Sequence, residues 1–143
     1  MKNIKLLAAL SVAALGMGSA QAATITFTIQ NQITTGSISP LRLNTCGAII
    51  PSLGSVPPNS ISVAHQTNCG NNTAVAFDYS DGIKTCSFNL SSLYTPPNPI
   101  LGTSGYWTPK GTGTQRGTTS ATCKATLTSI GTNGNYSWAL SIQ

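Results

Sequence analysis

From residue 24 the chain reads TITFTIQ, so Ile25, Phe27 and Ile29 alternate with Thr24, Thr26, Thr28 and Gln30. A period of two puts every second side chain on one face of a strand, and here that face is apolar. The pattern returns at Val75, Phe77 and Tyr79, and again at Cys123, Ala125 and Leu127 and at Trp138, Leu140 and Ile142. Between the first and second of these runs, Ile38, Leu41, Leu43, Ile49 and Ile50 are scattered among Gly and Ser. Pro51, Pro57 and Pro58 then interrupt before Ile61 and Val63. Proline cannot donate to a strand ladder, so strands in this half are expected to be short.

Two dipeptides divide the later runs. Asp81-Gly82 and Asn133-Gly134 are the pairs preferred in two-residue type I′ hairpin turns, where both residues need positive φ. Centring the first hairpin on Asp81 and Gly82 sets Tyr79 opposite Lys84, Phe77 opposite Cys86 and Val75 opposite Phe88. Centring the second on Asn133 and Gly134 sets Ser129 opposite Trp138, Leu127 opposite Leu140 and Ala125 opposite Ile142. Ile130 is then left on the other face, as the mark of a bulge. No stretch of the chain after residue 22 repeats apolar residues at helical spacing over ten or more positions. The expected class is all-β: a small antiparallel β-sandwich of roughly six to eight strands, with a barrel as the alternative.

The first 22 residues differ in kind. Lys2 and Lys5 precede an apolar stretch from Leu6 to Met17, and Ala20-Gln21-Ala22 has the small-x-small form of a cleavage site. Residues 1–22 are therefore expected to be a cleaved signal peptide and residues 23–143 a single sandwich domain. The apolar stretch is shorter than the roughly 20 residues that cross a bilayer, so no transmembrane segment is expected. The expected location is secreted or periplasmic.

Export changes the reading of the four cysteines, all of which follow the leader. An oxidising compartment favours two disulfides. Cys86 and Cys123 fall on the apolar faces of separate hairpins, where two packed sheets would let them meet. The favoured pairing is Cys86–Cys123, leaving Cys46–Cys69. The intervals between cysteines have none of the C-x-x-C spacing of a zinc site, and His65 is the only histidine, so no metal is expected.

Charge is sparse. After the leader the cations are Arg42, Lys84, Lys110, Arg116 and Lys124, spread along the chain, against Asp78 and Asp81; glutamate is absent. Nucleic-acid binding shows a stripe or cluster of cations, so no nucleic-acid partner is expected. Asp81 reads as a turn residue and Asp78 lies on the wetter face of its strand, which leaves no pair of carboxylates on facing walls of a cleft. The phosphate-cradling, dinucleotide and H-E-x-x-H motifs are all missing, and no cofactor is expected.

Residues 91–120 read as a long loop rich in Pro, Gly and Thr, and loops of this length are usually functional or disordered. Tyr94, Tyr106 and Trp107 there could form a stacking platform or a protein anchor, with Lys110 and Arg116 beside them. The competing reading has Tyr106 and Trp107 begin or end a further strand and turn into the core. The leading expectation is a non-enzymatic binding or interaction domain, in the sense of a surface, adhesion, carbohydrate-binding or structural subunit. Its partners would be a protein or carbohydrate at a surface. Self-assembly by strand addition is a related route, with Thr24–Gln30 as an exposed edge. The alternative is a secreted inhibitor or toxin-like effector acting on a protein or membrane. A hydrolase built on His65, oriented by Asp78, ranks lower because no nucleophile signature accompanies it.

Overall fold

The computed structural model describes residues 23–143; the expected leader lies outside the described residues. The alternating segments become β1 (Thr24–Asn31), β2 (Ser39–Thr45), β3 (Ser60–Ile61), β4 (His65–Asn68), β5 (Asn72–Ser80), β6 (Thr85–Thr95), β7 (Tyr106–Arg116), β8 (Cys123–Ile130) and β9 (Tyr136–Ile142). A single 3-10 turn at Thr132–Gly134 separates the last two. The described residues contain no α-helix. The strands form two packed sheets, one ordered β2-β5-β6-β7 and the other β3-β1-β9-β8, with β4 also paired to β1.

All pairs are antiparallel except β1 with β9, which run side by side in parallel from Ile25↔Tyr136 to Asn31↔Ile142. On its other flank β1 pairs β4 at its start and β3 at its end. It is thus a central strand, and the expected free edge at Thr24–Gln30 is not there. The reason is simple: alternation reports that one face is buried and carries no information about whether the two edges are paired. Ile25, Phe27 and Ile29 are fully buried. Each such side chain contributes about 1.5–3 kcal/mol, and the three together rival the roughly 5–15 kcal/mol net stability of a domain. Buried Asn31 then fixes the exit from β1, its amide donating to the carbonyls of Gly36, Val56 and Pro57.

The first expected hairpin forms with its faces as read but its register moved by two. Ser80 pairs Thr85, Tyr79 pairs Cys86, Phe77 pairs Phe88 and Val75 pairs Leu90. Residues 81–84 make a four-residue connection because the Asp81 carboxylate accepts the N–H groups of Ile83 and Lys84, at 2.8 and 2.6 Å. Ser80 Oγ accepts from Gly82 N and donates to Lys84 O. A shift of two preserves which side chains point inward, so Val75, Phe77, Tyr79, Cys86, Phe88 and Leu90 are all buried.

In the second hairpin the turn itself forms as expected. Asn133 and Gly134 are both left-handed, with φ of 58° and 76°, and Asn135 N donates to Thr132 O. The ladder then slips between Leu127 and Ser129, one step short of Ile130, so Leu127 pairs Trp138, Ala125 pairs Leu140 and Cys123 pairs Ile142. The same side chains still face inward.

Both sheets contribute rings to the core. Phe27 of β1 stacks on Phe77 of β5 at 5.1 Å, and Phe77 meets Phe88 and Tyr79 on its own sheet. Cys86 of β6 is joined to Cys123 of β8 between the two sheets, and Cys46 is joined to Cys69 just beyond the ends of β2 and β4. The strand phases favour the first of these pairings, and the second is the one it leaves.

The largest departure from the sequence reading is at 91–120. β6 runs on to Thr95 and β7 occupies residues 106–116, paired along its whole length with β6. Only residues 96–105 connect them.

Candidate functional site

The connection between β6 and β7 is short and heavily constrained. Asn98 and Thr103 exchange backbone hydrogen bonds of 3.0 and 3.1 Å across its neck. Asn98 Oδ1 accepts from Ile100 N at 3.0 Å and Leu101 N at 3.3 Å, and Gly102 takes the left-handed conformation that closes the turn. Pro96, Pro97 and Pro99 further reduce the freedom of the segment. The result is a stiff finger whose tip presents Ile100, 92 % exposed, and Leu101, 74 % exposed. Sequence reasoning missed these two residues. The available signal was a pair of adjacent aliphatics set between Pro99 and Gly102, inside a segment otherwise made of turn formers.

The five residues expected as a binding group divide between two faces. Tyr94 and Trp107 are register partners at the base of the finger, their rings 5.0 Å apart. Trp107 is half-buried and packs against the core. A Cβ added to Gly134 would overlap its indole, and Ser92 Oγ donates to Gly134 O at 2.8 Å. Trp107 therefore clamps the β6–β7 base onto the β8–β9 turn. The competing reading, in which Tyr106 and Trp107 begin a strand, describes the backbone; of the two rings, only that of Trp107 turns inward. Tyr106, Lys110 and Arg116 lie on the outer face of β7, all exposed. Ten residues of strand hold Tyr106 and Arg116 about 33 Å apart, so these three do not converge.

The outer face of the β2-β5-β6-β7 sheet holds the one ion pair of the described residues. Arg42 of β2 lies opposite Asp78 of β5, and its Nε and a terminal nitrogen contact the same carboxylate oxygen at 2.7 and 2.6 Å. Asp78 is on the face opposite the core, as its phase requires, yet it is buried there rather than wet, because Arg42 covers it.

His65 is buried beside Phe27, their rings 5.5 Å apart. Its Nδ1 lies 2.8 Å from the Pro51 carbonyl oxygen, which can only accept, so Nδ1 carries the proton. Nε2 has no hydrogen-bond partner. Asp78 is engaged by Arg42 on the far side of the other sheet, and Asp81 by backbone amides, so neither carboxylate orients the imidazole. Among the described residues no three His, Cys, Asp or Glu side chains gather as a metal-binding group, and no helix is long and apolar enough to cross a membrane.

The chain matches no protein-family model and no curated protein.

Proposed function

We propose that this chain is an extracytoplasmic, non-enzymatic contact domain whose sandwich holds out the 96–105 finger for a protein partner. Two disulfides fit an oxidising compartment. The single observation that carries the reading is the exposure of Ile100 and Leu101 on a turn fixed by Asn98. Aliphatic side chains held in water on a stiff support lose solvent contact, and little conformational freedom, when they enter an apolar recess. A sugar-stacking platform at Trp107 is the weaker version, because its ring is committed to the β8–β9 turn. The test places a photo-crosslinking residue at position 100 and, as a control, at Thr112 on the outer face of β7. A discrete partner captured from the native compartment at 100 alone, and lost when Leu101 becomes Ser, supports the reading. Equal capture at both positions, or none, refutes it.

A second reading is favoured by a different observation: β1 is the first strand of the described chain and fills a slot between β9 and the β3–β4 pair. A structural subunit could assemble by exchanging this strand between copies. A chain starting at residue 32, refolded with a synthetic peptide of residues 23–33, tests whether the slot accepts β1 from outside. Recovery of the native near-ultraviolet spectrum supports exchange, and failure to recover it counts against.

A further inference from the structure

We propose that the outer face of the β2-β5-β6-β7 sheet is a binding groove for an acidic polysaccharide, gripped at its charged end by Arg42 and Arg116. A hollow of about 400 Å³ lies over this face, lined by Arg42, Asn44, Ala76, Asp78, Ser87 and Arg116 among others. A second hollow of about 290 Å³ continues it past Asn44 and Ala76 to Ala74 and Asn89. The groove lies where β5 presents Ala74, Ala76 and the covered Asp78 between Arg42 and Asn44 of β2 on one side and Ser87 and Asn89 of β6, with Arg116 of β7, on the other. Along β5 the floor from Asp78 to Ala74 spans about 13 Å, enough for a short run of sugar rings.

Charge selects the ligand. Asp78 is taken up by Arg42, whose side chain remains 68 % exposed with donors to spare. The Arg116 side chain is exposed and, among the described residues, makes no hydrogen bond or ion pair. Two guanidinium groups and one carboxylate leave a net positive end, and a free guanidinium fork matches a carboxylate in two parallel hydrogen bonds. The rest of the lining is uncharged: Asn44, Ser87 and Asn89 offer groups that exchange hydrogen bonds with hydroxyls, and Leu43, Ala74 and Ala76 offer apolar surface for the faces of sugar rings. It lies on the face of paired strands, so a peptide finds no free backbone edge there to extend. Phe77 also borders it, but its ring is buried in the core against Phe27, so no aromatic face is offered on which a nucleic-acid base could stack.

The experiment titrates the mature protein with a uronate oligomer and with a neutral oligomer of the same length, by calorimetry and by amide chemical shifts. The expected result is binding of the acidic oligomer at least about tenfold tighter, with shifts centred on Ala76, Ser87 and Asn89. Arg116→Gln should weaken it by about tenfold or more, in line with loss of a charge-assisted pair. Lys124→Gln, which removes the same charge from the outer face of the other sheet, should leave it unchanged. Three results overturn the proposal: equal affinity for the neutral oligomer, equal losses from the two charge variants, or inorganic phosphate binding as tightly as the oligomer.

Discussion

Phe27 and Phe77 stack with their ring centroids 5.1 Å apart and their planes 25° from parallel, one from each sheet. Both are buried to 1 % exposure, so the pair ties the start of the folded chain to the middle of the opposite sheet. Phe27→Ala removes the ring and leaves a cavity that neighbours in two sheets cannot both close. The expected loss is about 3–5 kcal/mol, and Phe27→Leu should cost markedly less. Urea unfolding at constant slope measures both, and near-equal midpoints for the wild type and the alanine variant would remove β1 from the cooperative core.

The two disulfides should part company under reduction. Cys46 is exposed just beyond β2, whereas Cys86 is fully buried in the core. Thiol exchange needs access to a sulfur, so mild dithiothreitol on the folded protein should open Cys46–Cys69 first. Cys86–Cys123 should follow only with unfolding. Alkylation and mass spectrometry at successive times give the order, and simultaneous release contradicts it. Each closure is expected to contribute about 2–4 kcal/mol.

Burial pushes the Tyr79 hydroxyl up to about 12 from an ordinary value of 10.0, while the group donates to Gly54 O at 2.8 Å. A raised value in the folded state means that the unfolded chain gives up this proton first. The associated stability is complete below about pH 10 and is lost as pH climbs through about 12. Tyr79→Phe should flatten that alkaline decline, at a cost near neutrality of about 0.5–1.5 kcal/mol for the lost hydrogen bond. Tyr136, raised by burial as well, leaves a smaller residual slope. Unfolding free energies measured from about pH 8 to pH 11 test the difference between the two proteins.

The sequence made the inward faces legible and left the edges obscure. Val75, Phe77, Cys86 and Phe88 turn inward as their alternation requires, and so do Trp138, Leu140 and Ile142. The Cys86–Cys123 disulfide follows from those phases, and Cys46–Cys69 is the pair it leaves. Register was less readable, because it depends on a carboxylate at Asp81 capturing two amides and on a slip beside Leu127, neither of which leaves a mark in an apolar pattern. The run of β7 beyond Tyr106 and Trp107 was hidden for a different reason. After Trp107 its inward positions are Pro109, Gly111 and Gly113, and the space above Gly111 is filled by the Trp138 indole from the other sheet. A strand whose partner supplies the bulk has no alternation of its own to show. The finger tip escaped notice because two aliphatics amid prolines look like punctuation until the Asn98 turn points them outward.

The parallel seating of β1 against β9 sets residue 24 at one end of the molecule and residue 142 at the other. Tension applied between them pulls these neighbours in opposite directions along their common axis. The ladder from Ile25↔Tyr136 to Asn31↔Ile142 is then sheared as a whole, its rungs sharing the load, where a hairpin pulled from its open end would unzip one rung at a time. Pulled between residues 24 and 142, the β1–β9 pair resists by shear along its length.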